Sequence, residues 1–590
     1  MRQRFLLLAA DQPVDQAVAE DIQRRAKLFR SLRARGLLLL TNDAEQVIAL
    51  QDGAGFIIGK LFHRHGFPEE VKSLPFDEQE KIAATGGKHL TERYWGSYVA
   101  ALFSKSEINV VRDPSGGMPC YHGSYGSLKA FTSDATTLVD VGFVRPSVDV
   151  EAVEHILFRH QLPTERTAVS GISQILAGCG LVLGADFVRG RNLWSPWEHI
   201  EGEPRALEAP SVLLGRVIRS TLSSWASAYP KPLVGLSGGL DSSIVTACLA
   251  HAGAKPTCLT LRTSDPRGDE YYYASAVCEA VSAPSYSRAY DFAHIDLSRS
   301  VASDVPIPSG KLHEQAYNWE VRRATEEADT DSFFVGAGGD NVFYQTHSAR
   351  PIVDRYRAEG WSRGVWETLR DTCEITGATA WSVVREATRL ARLRATGIGW
   401  HDAPEYLHRD VIARQRQRPL DHPWADAPPS APLGKIGHVT MLLRAMNHIE
   451  HRDKDLAVPM VSPLLSQPIV ETCLSIASWE YCAGGVDRSV ARSAFASSLP
   501  PAVASRYGKG SPDGFVAHFI DIKRNEIADR LLNGQLAANK LLDRDALECV
   551  LRPDTQLKAN DCPRLMALLD TEAWFSSWQA RSTNWVPAPI

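Results

Sequence analysis

Hydrophobic and polar positions follow two different patterns along this chain, and the change falls near residue 205. Before that point, short apolar runs alternate with turn residues, as in residues 5–10, 96–103, 108–113 and 181–188. Runs of this kind predict β-strands. We therefore expect residues 1–205 to form a β-rich first domain.

Beyond the proline- and charge-rich stretch 194–210, helical and strand-like patterns alternate. Apolar residues recur at helical spacing in 211–226, a strand-like run follows at 232–238, and another helical pattern ends at Gly253. This alternation predicts a parallel sheet covered by helices on both faces. We expect residues 206–590 to form a second domain of the doubly wound α/β class, in which ligands bind at the carboxyl ends of the strands.

A third pattern occupies residues 378–453. This stretch is rich in arginine and reads mostly as helix, without indicating a particular arrangement.

Composition narrows the classes of protein that need to be considered. The chain has 590 residues, 44% of them hydrophobic, and a formal net charge of −5. That charge argues against a general nucleic-acid binder. The sequence contains no uninterrupted run of 18 apolar residues, so a membrane-spanning helix is not expected. Ten cysteines occur without a C-x-x-C pair, and the apolar run at residues 5–10 is too short for a signal peptide. We expect a cytoplasmic protein.

The sequence "LVGLSGGLDSS" at residues 233–243 allows two different chemistries. Gly235 to Gly239 fits the G-x-S-x-G elbow of hydrolases, with Ser237 as nucleophile, and Asp340, His448 and His451 could complete a triad. The same letters describe a glycine-rich turn between strand and helix, which aims backbone N–H groups at an anion.

Three hydrophilic residues after the turn favour the anion site over the hydrolase. Asp241, Ser242 and Ser243 fall in the first helical turn, where a carboxylate and hydroxyls could bind Mg²⁺ and polyphosphate. No Walker A motif occurs in the sequence. The dinucleotide-binding fingerprint is also absent, because "GAGGDN" at 336–341 lacks its final glycine. The turn matches the S-G-G-x-D-S loop of ATP pyrophosphatases.

Residues 233–243 resemble the ATP site of asparagine synthetases and their relatives, and the resemblance to this family covers nearly the whole chain. Further similar segments lie at residues 268–277, 333–343, 461–471 and 505–514. In the first domain, "VVRDPSGGMPCYH" at 110–122 and the "FTSD" that follows resemble the signatures of a class II glutaminase domain, an αββα fold with an N-terminal nucleophile.

The resemblance assigns roles to particular residues. Lys509 is implied to be catalytic together with Asp241 and Asp340, and these two aspartates are implied to share Mg²⁺. ATP is implied to contact a wider set: Gly235, Ser237, Gly238, Gly239, Leu240, Asp241, Ser242, Ser243, Leu261, Val335 and Gly336. Arg488 and Arg492, four residues apart on a predicted helix, could meet substrate or face water.

Departures from the family pattern concern the source of the nitrogen that the reaction uses. The glutaminase nucleophile is a cysteine directly after the initiator methionine, whereas this chain has Arg2 and no cysteine before Cys120. An arginine cannot serve as that nucleophile, so glutamine is not the expected nitrogen source. Ala337 and Asn341 stand where asparagine synthetases have glutamates, and Ser466 stands where an aspartate is usual.

An adenylating domain joined to a glutaminase domain without its nucleophile is similar to enzymes that link a carboxylate and an amine of one molecule. The chain resembles lasso-peptide cyclases most. That resemblance implies an isopeptide bond between an Asp or Glu side chain and the N-terminal amine of a precursor peptide. It also implies a leader-binding protein and a leader peptidase as partners, and ATP and Mg²⁺ as cofactors.

Other readings remain open. The chain could be an ammonia- or amine-dependent amide or β-lactam-type synthetase, a serine hydrolase using Ser237, or a non-catalytic scaffold.

Overall fold

The structure is a computed structural model. It describes residues 2–10, 14–200, 208–263, 270–392, 397–447, 454–506, 513–558 and 560–588.

Two stacked antiparallel sheets form the first domain. Its strands are β1 (Phe5–Ala9), β2 (Arg30–Ala34), β3 (Leu37–Thr41), β4 (Val47–Leu50), β5 (Gly55–His63), β6 (Tyr94–Ser104), β7 (Glu107–Arg112), β8 (Tyr121–Tyr125), β9 (Leu128–Thr132), β10 (Ser173–Gln174), β11 (Cys179–Leu183) and β12 (Val188–Asn192). One sheet has the order β10-β8-β9-β1-β3-β2 and the other β12-β11-β7-β6-β5-β4.

Helices cover the outer faces of both sheets. They are α1 (Gln16–Ala26), α2 (Phe76–Ala84), α3 (Lys88–Arg93), α4 (Ala135–Asp140) and α5 (Val150–Phe158). Alternate residues of β1 point in opposite directions, so Phe5 and Leu7 join the core between the sheets, while Leu6 and Leu8 pack under the helices. β1 is therefore buried on both faces, which explains its continuous apolar run.

The second domain is built on a parallel five-stranded sheet. Its strands are β13 (Pro232–Gly235), β14 (Thr257–Arg262), β15 (Ser285–Ala289), β16 (Ser332–Val335) and β17 (Met460–Val461), in the order β15-β14-β13-β16-β17. Strand order reverses between β13 and β16, as in a doubly wound fold. Leu233 packs toward one face and Val234 toward the other, so both faces are covered.

Helices make up most of the rest of this domain. They are α6 (Pro210–Ala228), α7 (Leu240–His251), α8 (Tyr271–Val281), α9 (Glu314–Glu327), α10 (Gly339–Val342), α11 (Arg350–Glu359), α12 (Arg363–Thr376), α13 (Ala380–Arg392), α14 (Arg409–Arg416), α15 (Leu433–Met446), α16 (Gln467–Ser475), α17 (Ser489–Phe495), α18 (Pro501–Ala504), α19 (Asp513–Asn533), α20 (Gln535–Ala538), α21 (Arg544–Val550) and α22 (Asp561–Thr583).

The stretch from 378 to 453 is less helical than its pattern indicates. Residues 397–408 and 417–432 form no helix and run as extended chain and turns between α13, α14 and α15. Several prolines in these stretches remove backbone donors and restrict the preceding residue, which disfavours a continuous helix.

The last helices of the chain pack on the first domain. Phe519 of α19 and Leu569 of α22 share one apolar cluster with Leu6 of β1 and Phe158 of α5. The Trp574 indole donates to the Val305 carbonyl oxygen at 2.8 Å within the same region. The two domains are thus joined by a common core. In the part of the chain that the structure describes, no helix is long and apolar enough to cross a membrane.

Candidate functional site

The glycine-rich turn lies where the parallel sheet reverses its strand order. β13 ends at Gly235, and α7 begins at Leu240 after the turn. Gly238 has φ +62°, and a Cβ there would lie 2.5 Å from the Tyr273 Cβ and 2.7 Å from the Ala274 nitrogen of α8. Only glycine combines that backbone with so close an approach. The turn is therefore packed tightly against α8.

Hydroxyl groups shape the inside of the turn. The Ser237 amide donates to the Ser242 Oγ at 3.3 Å, and the Gly239 amide donates to the Ser237 Oγ at 3.4 Å. Gly239 is the N-cap of α7, and no side chain caps this helix among the described residues. The first N–H groups of a helix have no partner within the helix, so this end is suited to an anion.

The geometry of Ser237 does not fit a nucleophile elbow. In such an elbow the serine itself occupies the strained position, whereas here the left-handed residue is Gly238. The Ser237 hydroxyl lies 3.3 Å from the Ser242 Oγ, and the Asp340 carboxylate is engaged by Arg488. His448 and His451, the other possible triad members, lie outside the described residues.

A second loop approaches the turn from β16. Val335 ends that strand in register with Gly235, and Gly336 follows it. A Cβ on Gly336 would lie 2.6 Å from the Ser242 nitrogen, and one on Gly339 would lie 2.4 Å from the Asp241 Cγ. The glycines at these two positions thus allow the backbone of one loop to touch the start of α7.

Two predicted metal ligands converge on one arginine. Arg488 Nη1 lies 3.2 Å from Asp241 Oδ2 and also binds Asp340 Oδ1. The side chains of Asp241 and Arg488 are about nine-tenths buried, at 11% and 10% exposure, while that of Asp340 is 35% exposed. The structure therefore brings both aspartates within reach of a single cation.

Charge balance at this position depends on Arg488. Burial lowers the pKa of the Arg488 guanidinium, but Asp241, Asp340 and Asp487 outweigh burial and raise the pKa above its ordinary value. The guanidinium therefore stays charged.

The two carboxylates also fit the needs of Mg²⁺, which is held by one or two protein carboxylates together with phosphate oxygens and water. No cluster of three or more His, Cys, Asp or Glu side chains suited to a metal occurs in the described ranges.

The other predicted ATP contacts are distributed around the same turn. Leu240 has its side chain in the core, so its backbone amide is the group left to meet a ligand. Ser243 is fully buried, and its Oγ has no hydrogen-bond partner among the described residues. Leu261 lies half-buried near the end of β14. Their roles toward ATP stay predictions.

Lys509 lies outside the described residues, but Arg506, the last described residue before it, contacts the turn. Arg506 donates to the Ser237 carbonyl oxygen at 3.2 Å and to Glu270 Oε1 at 2.8 Å. Its guanidinium also stacks over the Tyr273 ring at 4.2 Å.

Residues at the family-variant positions make structural contacts. Asn341 donates from its side chain to the Met441 carbonyl oxygen at 2.7 Å, which joins α10 to α15. Ser466 accepts a hydrogen bond of 2.9 Å from the indole of Trp225.

In the first domain, Arg2 lies just before β1, beside a cavity between the domains. Its amide donates to the Ala457 carbonyl oxygen at 3.1 Å, and Asn42 Nδ2 donates to the Arg2 carbonyl oxygen. The cavity measures about 80 Å³ and is also lined by Lys60, Ser97 and Ser466. The chain thus has a pocket at the predicted glutaminase site, with arginine in the position of the nucleophile.

The R-D pair of the glutaminase signature serves packing. Arg112 donates to the carbonyl oxygens of Met118, Ile175 and Gly116, each at 2.8 Å. Asp113 accepts from the Ser115 hydroxyl at 2.7 Å. These bonds fix the loop from 113 to 118 between β7 and β8.

Sequence reasoning did not identify two residues of the site. The helical spacing of Arg488 fits contact with substrate and with solvent equally, and no pattern in the sequence marks Arg506. Both belong to segments far along the chain from the turn they contact, so no local pattern could reveal them.

Comparisons with known proteins agree with this arrangement. A profile described as "Asparagine synthase" matches residues 228–579, which is more than half of the chain, and a "Glutamine amidotransferase domain" profile matches residues 81–194. In a comparison with curated protein sequences, none matched.

Two solved structures are also similar. One is titled "Structure of the allosteric regulatory enzyme of purine biosynthesis", with 9% identity over 49% of this chain and 80% of that one. The other is glutamine phosphoribosylpyrophosphate amidotransferase from B. subtilis complexed with ADP and GMP, with 9% identity over 56% and 90%. Both have a TM-score of 0.20 and add nothing to the assignment.

The molecule thus combines a glutamine amidotransferase-like first domain with a synthetase domain on a parallel sheet. The chain belongs to the asparagine synthase family and, with it, to the ATP-dependent amide-forming synthetases.

Proposed function

We propose that this protein is a peptide cyclase that closes a macrolactam ring. It activates an Asp or Glu side chain of a precursor peptide as an acyl-adenylate and joins it to the N-terminal amine of the same peptide. The observation that carries the proposal is the pairing of a well-formed nucleotide turn with a glutaminase-type pocket that presents Arg2.

Activation is needed because a carboxylate has no good leaving group. The side-chain oxygen attacks the α-phosphorus of ATP. The bond between the α-phosphorus and the oxygen that bridges it to the β-phosphate breaks, and pyrophosphate leaves. The backbone amides at Ser237, Gly238 and Gly239 and the Ser242 hydroxyl are suited to hold the β- and γ-phosphates. When bound, Mg²⁺ would neutralise phosphate charge, with Asp241 and Asp340 as its protein ligands.

Ring closure follows in a second step. The neutral peptide amine attacks the acyl carbon, the C–O bond to AMP breaks, and the nitrogen gives up its proton to solvent. Because both reacting groups belong to one peptide, holding them close replaces a bimolecular encounter by an intramolecular one. We expect Lys509 to stabilise negative charge on the α-phosphate, a role that the sequence resemblance implies.

An intramolecular amine also accounts for the first domain. Releasing ammonia from glutamine requires a nucleophile, and the guanidinium of Arg2 is protonated at neutral pH and cannot attack an amide. The amine must then come from the substrate or from solution. We further expect a leader-binding protein and a leader peptidase to deliver the peptide, as in the lasso-peptide cyclases that the sequence resembles.

The test supplies purified protein with Mg²⁺, ATP and synthetic peptides that carry Asp or Glu a few residues from a free N-terminus. We expect AMP, pyrophosphate and a product lighter than the peptide by one water. Blocking the peptide's N-terminus by acetylation should abolish the product.

A product that instead incorporates added ammonia or a small amine would replace the cyclase by an amine-dependent amide synthetase. Absence of AMP with every acid tried would contradict the adenylation step itself. For Lys509→Met we expect loss of ATP–pyrophosphate exchange, and unaltered exchange would remove Lys509 from the mechanism.

A further inference from the structure

We infer that Arg488 is a built-in cation that competes with the divalent metal for Asp241 and Asp340 and makes metal binding depend on the nucleotide. The inference concerns the nucleotide site of the proposed function and rests on it. Arg488 is a positioning residue in this scheme, because it acts through the carboxylates that hold the metal.

The first support is the position of the guanidinium. Nη1 contacts both carboxylates, at 3.4 and 3.2 Å from the two oxygens of Asp241 and in direct contact with Asp340 Oδ1. A metal ion held by both aspartates would need the space between the same oxygens. Arg488 and the metal therefore cannot both bind these oxygens in the same way.

The second support is the backbone of Arg488. It has φ +53° and ψ +34°, the left-handed region that costs a residue with a side chain about 1–2 kcal/mol. Strained backbone that persists must be held by its surroundings, and such residues concentrate at functional sites. Here Asp487 supplies part of the hold, because its Oδ2 accepts from Arg488 Nε at 2.8 Å.

A supporting frame keeps Asp487 in place. Arg492 donates to Asp487 Oδ1 from Nη2 at 2.9 Å, and the Gln345 side chain donates to Oδ2 at 3.3 Å. The Gln345 amide also donates to the Asp340 carbonyl oxygen at 2.9 Å. Arg488 is thus held beside the two carboxylates by a network that includes the backbone of Asp340.

Charge counting gives the consequence. The three carboxylates of this network and the guanidiniums of Arg488 and Arg492 sum to a charge of about −1, whereas adding a divalent ion would make the sum about +1 in a largely buried site. The polyphosphate of a nucleotide brings enough negative charge for both cations. We therefore expect the metal alone to bind weakly, and the metal with nucleotide to bind well, with Arg488 turned toward phosphate.

The experiment measures Mn²⁺ binding to the full-length, nucleotide-free protein by the EPR signal of free Mn²⁺. For Arg488→Met we expect Mn²⁺ to bind about tenfold more tightly or better, because a neighbouring positive charge is gone. The same variant should bind Mn²⁺ together with a non-hydrolysable ATP analogue more weakly than the wild type. Opposite shifts of the two affinities are the signature, since a merely structural role would weaken both.

Arg219→Met is the matched control. Arg219 is partly buried and contacts α17 through the Ala494 carbonyl oxygen at 3.2 Å and the Phe495 ring, away from the two carboxylates, so Mn²⁺ affinity without nucleotide should stay at the wild-type value. Adding Asp340→Asn to Arg488→Met should remove the tightening and locate it at this site. If Arg488→Met does not fold, Arg488→Gly removes the guanidinium while suiting the positive φ.

Unchanged or weaker Mn²⁺ binding in folded Arg488 variants overturns the inference. The outcome is separable from that of the proposed function. If no peptide is cyclised but Arg488→Met still tightens Mn²⁺ binding, the substrate proposal fails and this inference stands. If peptides are cyclised while Mn²⁺ binding is insensitive to Arg488, this inference alone fails.

Discussion

The two halves of this molecule carry signatures of equal clarity in sequence, yet the groups in those signatures have different surroundings. In the first domain, Arg112 donates hydrogen bonds to three backbone carbonyl oxygens, and Asp113 is buried within its own loop. In the second domain, Asp241 and Asp340 share a charged arginine beside a helix N-terminus with no side-chain cap among the described residues. A motif can therefore serve packing in one domain, while in another its charged groups converge beside a helix N-terminus.

The largest expected effect tests whether the chemistry is confined to the second domain. Asp241→Ala or Asp340→Ala should lower AMP release by roughly 10³-fold, because each removes a carboxylate proposed to hold the metal against phosphate. Quenched-flow measurement of AMP gives the rate. Circular dichroism should show an unchanged fold, since Asp487 still pairs with Arg488; near-normal turnover in either variant would refute the metal assignment.

A pair of glycine substitutions compares the two halves directly. Gly238→Ala places a methyl 2.5 Å from Tyr273, and Gly59→Ala places one 2.3 Å from the Ser97 carbonyl oxygen, both at positive φ. Each should destabilise the fold by about 2 kcal/mol or more, measured by thermal unfolding.

Only Gly238→Ala should weaken ATP binding, by about tenfold or more, in calorimetry below the unfolding transition, because only Gly238 shapes the nucleotide turn. Equal losses of ATP affinity in the two variants would mean that this comparison of the domains is wrong.

Buried carboxylates offer a test through pH. Burial raises the pKa of Asp354, on α11, to about 6, although the residue accepts hydrogen bonds from the Gly434 amide and the Ser478 hydroxyl. A raised pKa means that its stabilising contribution is complete below the unfolded value of 3.8 and is lost as pH rises through about 6.

Wild-type stability relative to Asp354→Asn should therefore fall by on the order of 2–3 kcal/mol between about pH 4 and 7. Denaturant titrations at each pH measure the difference. Burial also raises the pKa of Asp113 in the first domain, so Asp113→Asn should give the same sign. A stability difference that rises with pH would contradict the assigned direction.

The smallest expected effect is no change at all. Arg2→Cys restores the residue type of the glutaminase nucleophile, yet we expect no glutamate release from glutamine. The reaction also needs a pocket that binds glutamine and orients its amide, and here Lys60 and Met118 line the cavity beside Arg2. A coupled glutamate assay would show activity if the substitution alone sufficed.

Much of the architecture could be anticipated from the sequence. The apolar run at residues 5–10 indicated a strand, and β1 forms there and is buried along its whole length. The alternation after residue 210 indicated the parallel sheet, and the turn at Ser237 lies at the carboxyl end of β13. These features are local, because the period of apolar positions and the positions of glycines are set within a few residues.

Other features depended on contacts between distant segments. The short strands β10, β15 and β17 are too brief or too exposed to give a pattern, and neighbouring strands stabilise them. α19 and α22 pack on the first domain although they are separated from it by several hundred residues. The boundary placed at residue 205 remains a prediction, because residues 201–207 lie outside the described ranges.

By itself, the sequence determined the glycine-rich turn, the aspartates that accompany it and the absence of a cysteine at position 2. It did so because backbone conformation and chemical identity are local properties. Only the tertiary structure decided that Arg488 stands between Asp241 and Asp340 and that Arg506 holds the turn against α8. Such pairings depend on folding distant parts of the chain together, because charges interact through space and not along the sequence.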